Sequence, residues 1–434
     1  MKIGIIGAGI TGLTAAYELG KAGHQVTVFE QAAQAGGLAR TFRDERWEWP
    51  LEIFYHHAFA SDRALRNLSA ELGIGDKLFF PLPITAIWQN GTVNAFDSPV
   101  AVLRYPYLSF VDKMRVGLTT LYLRLTKNWQ PLERVTAHEW LPRYIGPRAY
   151  HMLWEPLLAN KMTRYYREIP MAWFWARIYK RSQRLGYYIG GYQTLTDALG
   201  AKARARGVVV QFRSLVTGVG TADSGLCLQV AGHEHCFDAV VVTVSPQAML
   251  GLAPLLPEGY QAQLRQLKAL GALTLILTVD RQVTKGFYWI NLPQGQFPFL
   301  AFVEHTNYQS PEHYGGDHII YLGDYPAPDE PHWSASKEEL LAEFLPHLVK
   351  FNPAFDSSWV QKSWLFREEY AQPVPPLNYS RQMPAVRTPQ AGLYFASMSQ
   401  VYPWDRGTNY SVEMGQKVAK MVLEDAQGVN RAKE

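Results

Sequence analysis

Cysteine is nearly absent: only Cys227 and Cys236 occur in 434 residues. A fold stapled by several disulfides is therefore excluded. The two cysteines lie in a stretch that reads as two short strands, where a cross-strand bridge is conceivable; buried free thiols are the expectation, as in most cytosolic enzymes. Excess charge is lacking too. The net charge is +4, and Lys and Arg are interspersed with Asp and Glu rather than gathered in blocks, so no nucleic-acid partner is predicted. No apolar run approaches the roughly 18 residues needed to span a bilayer. The opening residues enter a strand pattern directly, without the basic and then apolar order of a cleaved leader. The protein is expected to be cytoplasmic, attached to a membrane face at most. Repeats and low-complexity segments are missing, which excludes solenoid architectures.

Apolar and aromatic residues are plentiful. Hydrophobic residues make up 47% of the chain and charged ones 18%, with 13 Trp, 24 Tyr and 20 Phe. That is the composition of a folded protein with a large core, long enough for two or three domains.

Lys2 to Ile6 form a short Ile-rich run, followed at once by Gly7-Ala8-Gly9-Ile10-Thr11-Gly12 and a helical pattern through Leu13, Ala16 and Leu19. Strand, glycine turn and helix in this order predict a dinucleotide site. Gly7 permits the turn, Gly9 lets the backbone approach a pyrophosphate, Gly12 lets helix and strand pack closely, and Ile10 and Thr11 open the helix whose free amides face the anion. Gln25 to Phe29 read as the second strand, ending at Glu30, eighteen residues after Gly12. A carboxylate there accepts hydrogen bonds from the adenosine ribose hydroxyls.

A second glycine pair follows in Gly36-Gly37-Leu38-Ala39-Arg40. A Gly-Gly followed by Arg after the ribose acid resembles the superfamily of flavin amine oxidases, protoporphyrinogen oxidases and phytoene desaturases. Arg184 to Leu195 resembles that superfamily's glycine-rich return to the nucleotide domain. Gly207 to Val216 reads as the strand pair that follows, Phe237 to Val244 as a continuous buried strand, Gly392 to Ala396 as a strand, and Arg406-Gly407-Thr408-Asn409 as the entry to a last helix.

The resemblance implies an α/β fold: a discontinuous Rossmann-like FAD-binding domain of residues 1–55, 186–248 and 385–434, and an α+β substrate domain of residues 56–185 and 249–384. It implies bound FAD. Leu38, Ala39 and Arg40 would pass beside the cofactor, with Arg40 near the phosphates or the ring. The Val216 backbone would meet adenine, and Arg406, Thr408 and Asn409 would bring a helix N-terminus to the flavin, where reduced-state charge is stabilised. With no Cys near these motifs, thioether attachment is not expected and the FAD is noncovalent.

Candidate chemistry gathers in three places. His56 and His57 lie where superfamily members cross towards the substrate cavity, and an imidazole exchanges protons near neutral pH; the alternative is a hydrogen-bonded structural pair. No third ligand stands in register with them, so no metal site is predicted. Lys161 reads either as a lysine facing a substrate anion or a flavin-bound water, or as an ordinary surface lysine, the commoner case. Tyr402 lies just before the last helix, placed to wall the ring. The chain departs from monoamine oxidases: it has Ser397-Met398-Ser399 after the strand, Gly407 at the position of a cage tyrosine, and no lysine from Ala269 to Thr284.

The expected activity is dehydrogenation of a C–C or C–N bond of an apolar small molecule held in an aromatic-lined tunnel with few paired charges. The alternatives are a flavoenzyme resembling UDP-galactopyranose mutase, for which Arg177, Arg181 and Arg367 are unassigned candidates to bind a diphosphate, and a flavin-free prenyl-binding protein resembling GDP-dissociation inhibitors. Arg164 to Arg184, where aromatics alternate with bases, reads as a core helix with snorkelling bases in preference to a membrane-surface helix.

Overall fold

The computed structural model describes residues 1–431 apart from Asp97, Asp223, Ser224 and Gln294. A five-stranded sheet is parallel throughout, in the order 209–211, 25–29, 2–6, 239–242, 393–395. Chain order therefore reverses at the strand Lys2–Ile6, and the crevice beyond the strand ends at such a reversal is where open α/β sheets bind ligands. The two central strands are near-continuous apolar runs because both faces are covered. The helix Ile10–Lys21 follows the first strand, and the last helix, Thr408–Arg431, lies against it. A Cβ at Gly415 would fall 2.6 Å from the Thr11 carbonyl oxygen, so glycine is what lets these helices cross closely.

The second sheet has seven strands in the order 360–374, 268–279, 318–324, 301–304, 287–291, 84–89, 92–95, antiparallel except between 287–291 and 84–89. The helix Lys337–Phe344 packs on one face of it, against Leu275, Leu277 and Leu322, and the helices between residues 99 and 179 pack at the end of its two longest strands, against Leu270, Ala272, Ala371 and Val374. The helix Ala137–Ile145 starts where its sequence signature puts it: the Thr136 side chain accepts from the Glu139 amide, and the Glu139 carboxylate accepts from the Thr136 amide. The helix Met171–Tyr179 is buried over most of its length, with Trp173, Phe174 and Trp175 in the core, so the middle of the Arg164 to Arg184 stretch is a core helix, while its ends at Arg164 and Arg184 are exposed. The architecture is α/β, a Rossmann-like parallel sheet joined to an α+β part.

Several details differ from the sequence pattern. Cys227 and Cys236 are joined as a disulfide, against the expectation of free thiols; the antiparallel register sets them directly opposite each other. Gly207 to Val216 does not form one strand pair: Val209–Gln211 extends the parallel sheet and Val216–Ala222 enters a separate three-stranded antiparallel one. The run from Phe237 to Val244 is split at Asp238, whose carboxylate accepts from the Lys2 amide at 2.7 Å. The last helix continues through Arg431, past the polar Gln427 where fraying is predicted; residues 432–434 of that tail lie outside the described residues.

Glycine spacing generates a paired prediction. A Cβ on Gly12 would lie 2.0 Å from the Gly7 carbonyl oxygen, whereas Gly117, exposed inside the helix Phe110–Leu125, has open space around it. Gly12→Ala should destabilise the protein by about 3 kcal/mol or more, and Gly117→Ala should stabilise it by about 0.5–1 kcal/mol. Urea denaturation of the two variants measures both signs.

Candidate functional site

The nucleotide end of the site begins with two glycine turns placed back to back. Gly36 donates its amide to the Ala8 carbonyl at 3.0 Å, and a Cβ on Gly37 would stand 3.2 Å from the Gly9 Cα. Gly7, Gly36 and Gly37 have φ of 102°, 132° and 57°, values that L side chains strongly resist. The Ile10–Lys21 helix has Gly9 as its N-cap with no side-chain cap, so its first-turn amides, those of Ile10, Thr11 and Gly12, are left to an external acceptor.

Glu30 closes this cradle. Its two carboxylate oxygens accept from the Ala8 and Ala32 amides, each at 2.8 Å, and each oxygen keeps a lone pair for a hydroxyl. Its own backbone amide and carbonyl bond to Gln211 and Ser214, which brings the start of the Val216–Ala222 strand to the same edge. Val216 is buried there beside Phe29. Bare amides, absent Cβ atoms and a fixed carboxylate together fit a dinucleotide cofactor.

From the second glycine turn the chain crosses to the other sheet. Leu38 and Ala39 form a single helical turn, and the Arg40 carbonyl accepts from the Ile53 amide at 3.1 Å while its guanidinium stands 3.8 Å from Glu368. Glu52 is fully buried and accepts from the Tyr187 hydroxyl and the Tyr192 amide; burial pushes its carboxyl up to about 7. His56 shares its Nδ1 with the Phe54 carbonyl at 2.6 Å. His57 packs edge-on against Phe59 and Trp289, and its Nδ1 has no partner among the described residues. Each ring keeps some surface open, yet protein encloses it, and this desolvation lowers His56 to about 4 and His57 to about 3. Both are neutral imidazoles at physiological pH.

Beyond the histidines lies a cluster of charges. The Lys161 ammonium is 3.9 Å from Asp405 and 5.0 Å from the centre of the Tyr325 ring. Arg406 donates to the Tyr325 hydroxyl at 2.5 Å and to the Ala371 carbonyl at 2.6 Å. Arg177 is ion-paired with Asp405, which also accepts from Trp173 Nε1 at 3.2 Å and from Gln372 at 3.0 Å. The Tyr55 hydroxyl completes the group, 3.3 Å from that of Tyr325; its ring lies where Gly323 has no side chain, 2.9 Å from the position of a Cβ. Burial alone would raise Asp405, but Lys161, Arg177 and Arg406 outweigh it and hold the carboxyl well below the usual range. Burial, seconded by Arg406, lowers Lys161 to about 8. Burial raises the Tyr325 phenol, and the charges of Arg406 and Lys161 more than reverse this, drawing it down to about 8.

Lys161 is thus an enclosed member of a charged group, where a surface lysine was the commoner expectation. The tunnel with few paired charges is corrected in the same way: aromatic walls are present in Tyr55, Trp173, Trp289 and Tyr325, but the cluster stands among them. Tyr402 faces elsewhere, its ring edge-on to Trp129 and Tyr379 and its hydroxyl without a partner among the described residues; its neighbours Asp405 and Arg406 enter the cluster in its place. Thr408 and Asn409 are buried at the start of the last helix, and Asn409 ties it to the Leu65 amide at 3.1 Å. Tyr325 carries no sequence motif. Its one signal is its place immediately after the strand His318–Asp324 and before a proline.

The neutral histidines make the fold acid-sensitive. Their folded pKa values lie below the ordinary 6.5, so the unfolded chain takes up protons first as pH falls. Stability present above pH 6.5 should be lost progressively down to about pH 4 and then 3, at on the order of 1 kcal/mol per pH unit for each histidine. Denaturation midpoints measured from pH 7 to 4.5 should show this slope, and His57→Gln should reduce it.

Comparison with known proteins agrees with this geometry. The family model described as flavin containing amine oxidoreductase matches residues 10–423. Among curated proteins, the chain is similar to the mitochondrial protoporphyrinogen oxidase of Nicotiana tabacum, 25% identical over 294 residues covering 56% of this chain and 57% of that one. It is also similar to the L-amino-acid oxidase of Gloydius halys, 53% identical over 215 residues covering 45% and 42%. The chain spans about half the length of these curated relatives. Solved structures of the same fold include a reduced UDP-galactopyranose mutase, with TM-score 0.76, 17% identity and coverage of 98% of this chain and 95% of that one. Cyclohexylamine oxidase from Brevibacterium oxydans IH-35A has TM-score 0.74 and 17% identity over 98% and 99%. An oxidoreductase from Methanosarcina mazei has 0.73 and 18% over 97% and 100%.

Proposed function

The chain belongs to the flavin-containing amine oxidoreductases, and from that premise we propose that it binds FAD noncovalently and dehydrogenates a C–C or C–N bond of an apolar substrate, passing the electrons to oxygen or another acceptor. The observation that carries this reading is the Lys161–Tyr325–Arg406 group with Asp405, which stands at the entry to the last helix and is joined through the 51–57 segment to the glycine cradle. Noncovalent binding is supported by the two cysteines being spent on each other.

When bound, FAD supplies a hydride acceptor at N5. The Ile10, Thr11 and Gly12 amides would hold its pyrophosphate, Glu30 its ribose, Val216 and its strand the adenine edge, and Arg40 with the Thr408 and Asn409 amides the flavin end. Tyr325 is the group able to take or give a proton near neutral pH: Arg406 donates to its oxygen, Tyr55 lies within relay distance, and Lys161 above the ring sets its charge. Three cations facing one carboxylate leave the pocket positive, which suits an apolar substrate that carries one anionic group. His56 and His57, neutral, shape the wall and exclude water.

The mutase-like alternative needs a pair of free arginines for a diphosphate. Of the three candidates, Arg177 is held by Asp405 and Arg367 is spent on the carbonyls of His332 and Ala335, which leaves Arg181 without a second free arginine to pair with, so the oxidoreductase reading is preferred.

Denaturation should release FAD, not FMN, leaving a colourless chain. Glu30→Ala should weaken FAD binding by about 1–3 kcal/mol, the scale for unpairing a charged hydrogen-bonding group, as read by a cofactor titration. Under anaerobic stopped flow, small amines should bleach the flavin slowly and a polycyclic or isoprenoid substrate quickly. The pH profile of that bleaching should turn near 8, where Tyr325 and Lys161 both lie, and Tyr325→Phe should slow the bleaching and reduce the turn while leaving FAD content unchanged. Rapid reduction by simple monoamines, or tight binding of a UDP-sugar, overturns the proposal.

A further inference from the structure

The helix Phe110–Leu125 has two apolar faces, and only one of them is covered. Val116, Thr119 and Leu123 are buried against the protein, where the helix packs on Met171–Tyr179 and Ala137–Ile145. Phe110, Val111, Met114, Leu118, Leu121, Tyr122 and Leu125 are exposed, Phe110 by 73%, Leu118 by 61% and Leu125 by 70%. At 3.6 residues per turn these seven positions fall within an arc of roughly 120°, so they form one continuous stripe along the helix. Val100 and Leu103, on the adjoining short helix Pro99–Arg104, and Tyr144 extend it. Single exposed apolar residues need no explanation, but an unbroken stripe of this length in a folded protein marks a docking face.

Its rim identifies the occupant. Between residues 99 and 127 the basic side chains are Arg104, Lys113, Arg115, Arg124 and Lys127, and the one acid is Asp112. The surplus of four positive charges in this segment equals the net charge of the whole chain. Asp112 is turned back to cap its own helix, bonding the Ser109 amide and hydroxyl. On the helical wheel Arg115 borders one side of the stripe, and Lys113 and Arg124 the other. Arg115 is anchored by the Arg143 and Tyr144 carbonyls, and Tyr122, Trp140 and Tyr144 stack in a row along that border. Apolar centre, basic flanks and ringed aromatics are the composition of a helix lying in the headgroup region of a bilayer.

We infer that this face docks the protein onto the surface of a membrane containing anionic lipids. No described helix is long and apolar enough to cross a membrane, so the contact is in-plane. A second copy of this chain is a poorer occupant: two-fold pairing of the stripe would set basic rim against basic rim with Asp112 already engaged, and like charges across an interface are costly.

The experiment is flotation of the holoprotein with vesicles of phosphatidylcholine alone and with added phosphatidylglycerol. The protein should float with the anionic vesicles and less with the neutral ones, and salt should weaken the binding. The double variant Leu118→Glu and Leu121→Glu should lower the partition by about tenfold or more, whereas Leu255→Glu, which changes an apolar residue exposed by 82% outside the stripe, should bind as the parent does. Phe110→Ser with Leu121→Ser gives a milder change of the same face and should fall between the two. Retained yellow colour and an unchanged melting temperature show that the variants fold. A parent protein that never floats, a double variant that floats like the parent, or a dimer in sedimentation velocity that Leu118→Glu breaks would each overturn the inference.

Discussion

The missing side chain of Gly12 governs the nucleotide end of the molecule. Its Cα sits so close to the Gly7 carbonyl that any Cβ would overlap it, and only this contact lets the first helix rise directly from the end of the first strand. Everything the cradle offers follows from that approach: the first-turn amides point into the crevice at the reversal of strand order, the second glycine turn stacks on Gly9, and Glu30 reaches the Ala8 amide. The last helix then nests on the first through Gly415. Backbone proximity, permitted at four glycines, builds a surface of amide donors that side chains would otherwise cover.

A different economy operates at the other end. Asp405 is held in a poorly solvated place by Arg177, Lys161, Arg406, Trp173 and Gln372. Removing any one cation would leave the carboxylate short of compensation, while enclosure, seconded by Arg406, presses Lys161 towards its neutral form and the charges of Arg406 and Lys161 draw Tyr325 towards its phenolate. The phenol and the ammonium thus come to similar proton affinities, with the Lys161 ammonium 5.0 Å from the centre of the Tyr325 ring. The neutral histidines beside the cluster are held neutral by enclosure. Site electrostatics therefore arise from packing as much as from the charges themselves.

Legibility in the sequence followed the range of the interaction. The turn at Gly7 to Gly12, the acid at Glu30, the glycine pair before Arg40 and the cap at Thr136 are each settled within a few residues, and their patterns could be read directly. The Tyr325–Arg406 and Arg177–Asp405 contacts join positions up to 228 residues apart in the chain, with no spacing to signal them. Lys161 looked like any lysine on a helix because its enclosure comes from the strand end at Tyr325 and the loop at Asp405. Tyr402 was well placed in the chain, but a turn of the backbone sent its ring to Trp129 and brought Asp405 and Arg406 to the site.

The sequence by itself determined the α/β class, the dinucleotide fingerprint and the kinship with flavin oxidoreductases, since each rests on local geometry that a few residue types impose. Tertiary structure alone decided that Cys227 faces Cys236 across a ladder, that Tyr325 meets Lys161 and Arg406, and that one face of the Phe110–Leu125 helix is left without a protein neighbour. Register, desolvation and the pairing of distant charges depend on which surfaces the folded chain brings together, and no local pattern encodes that choice.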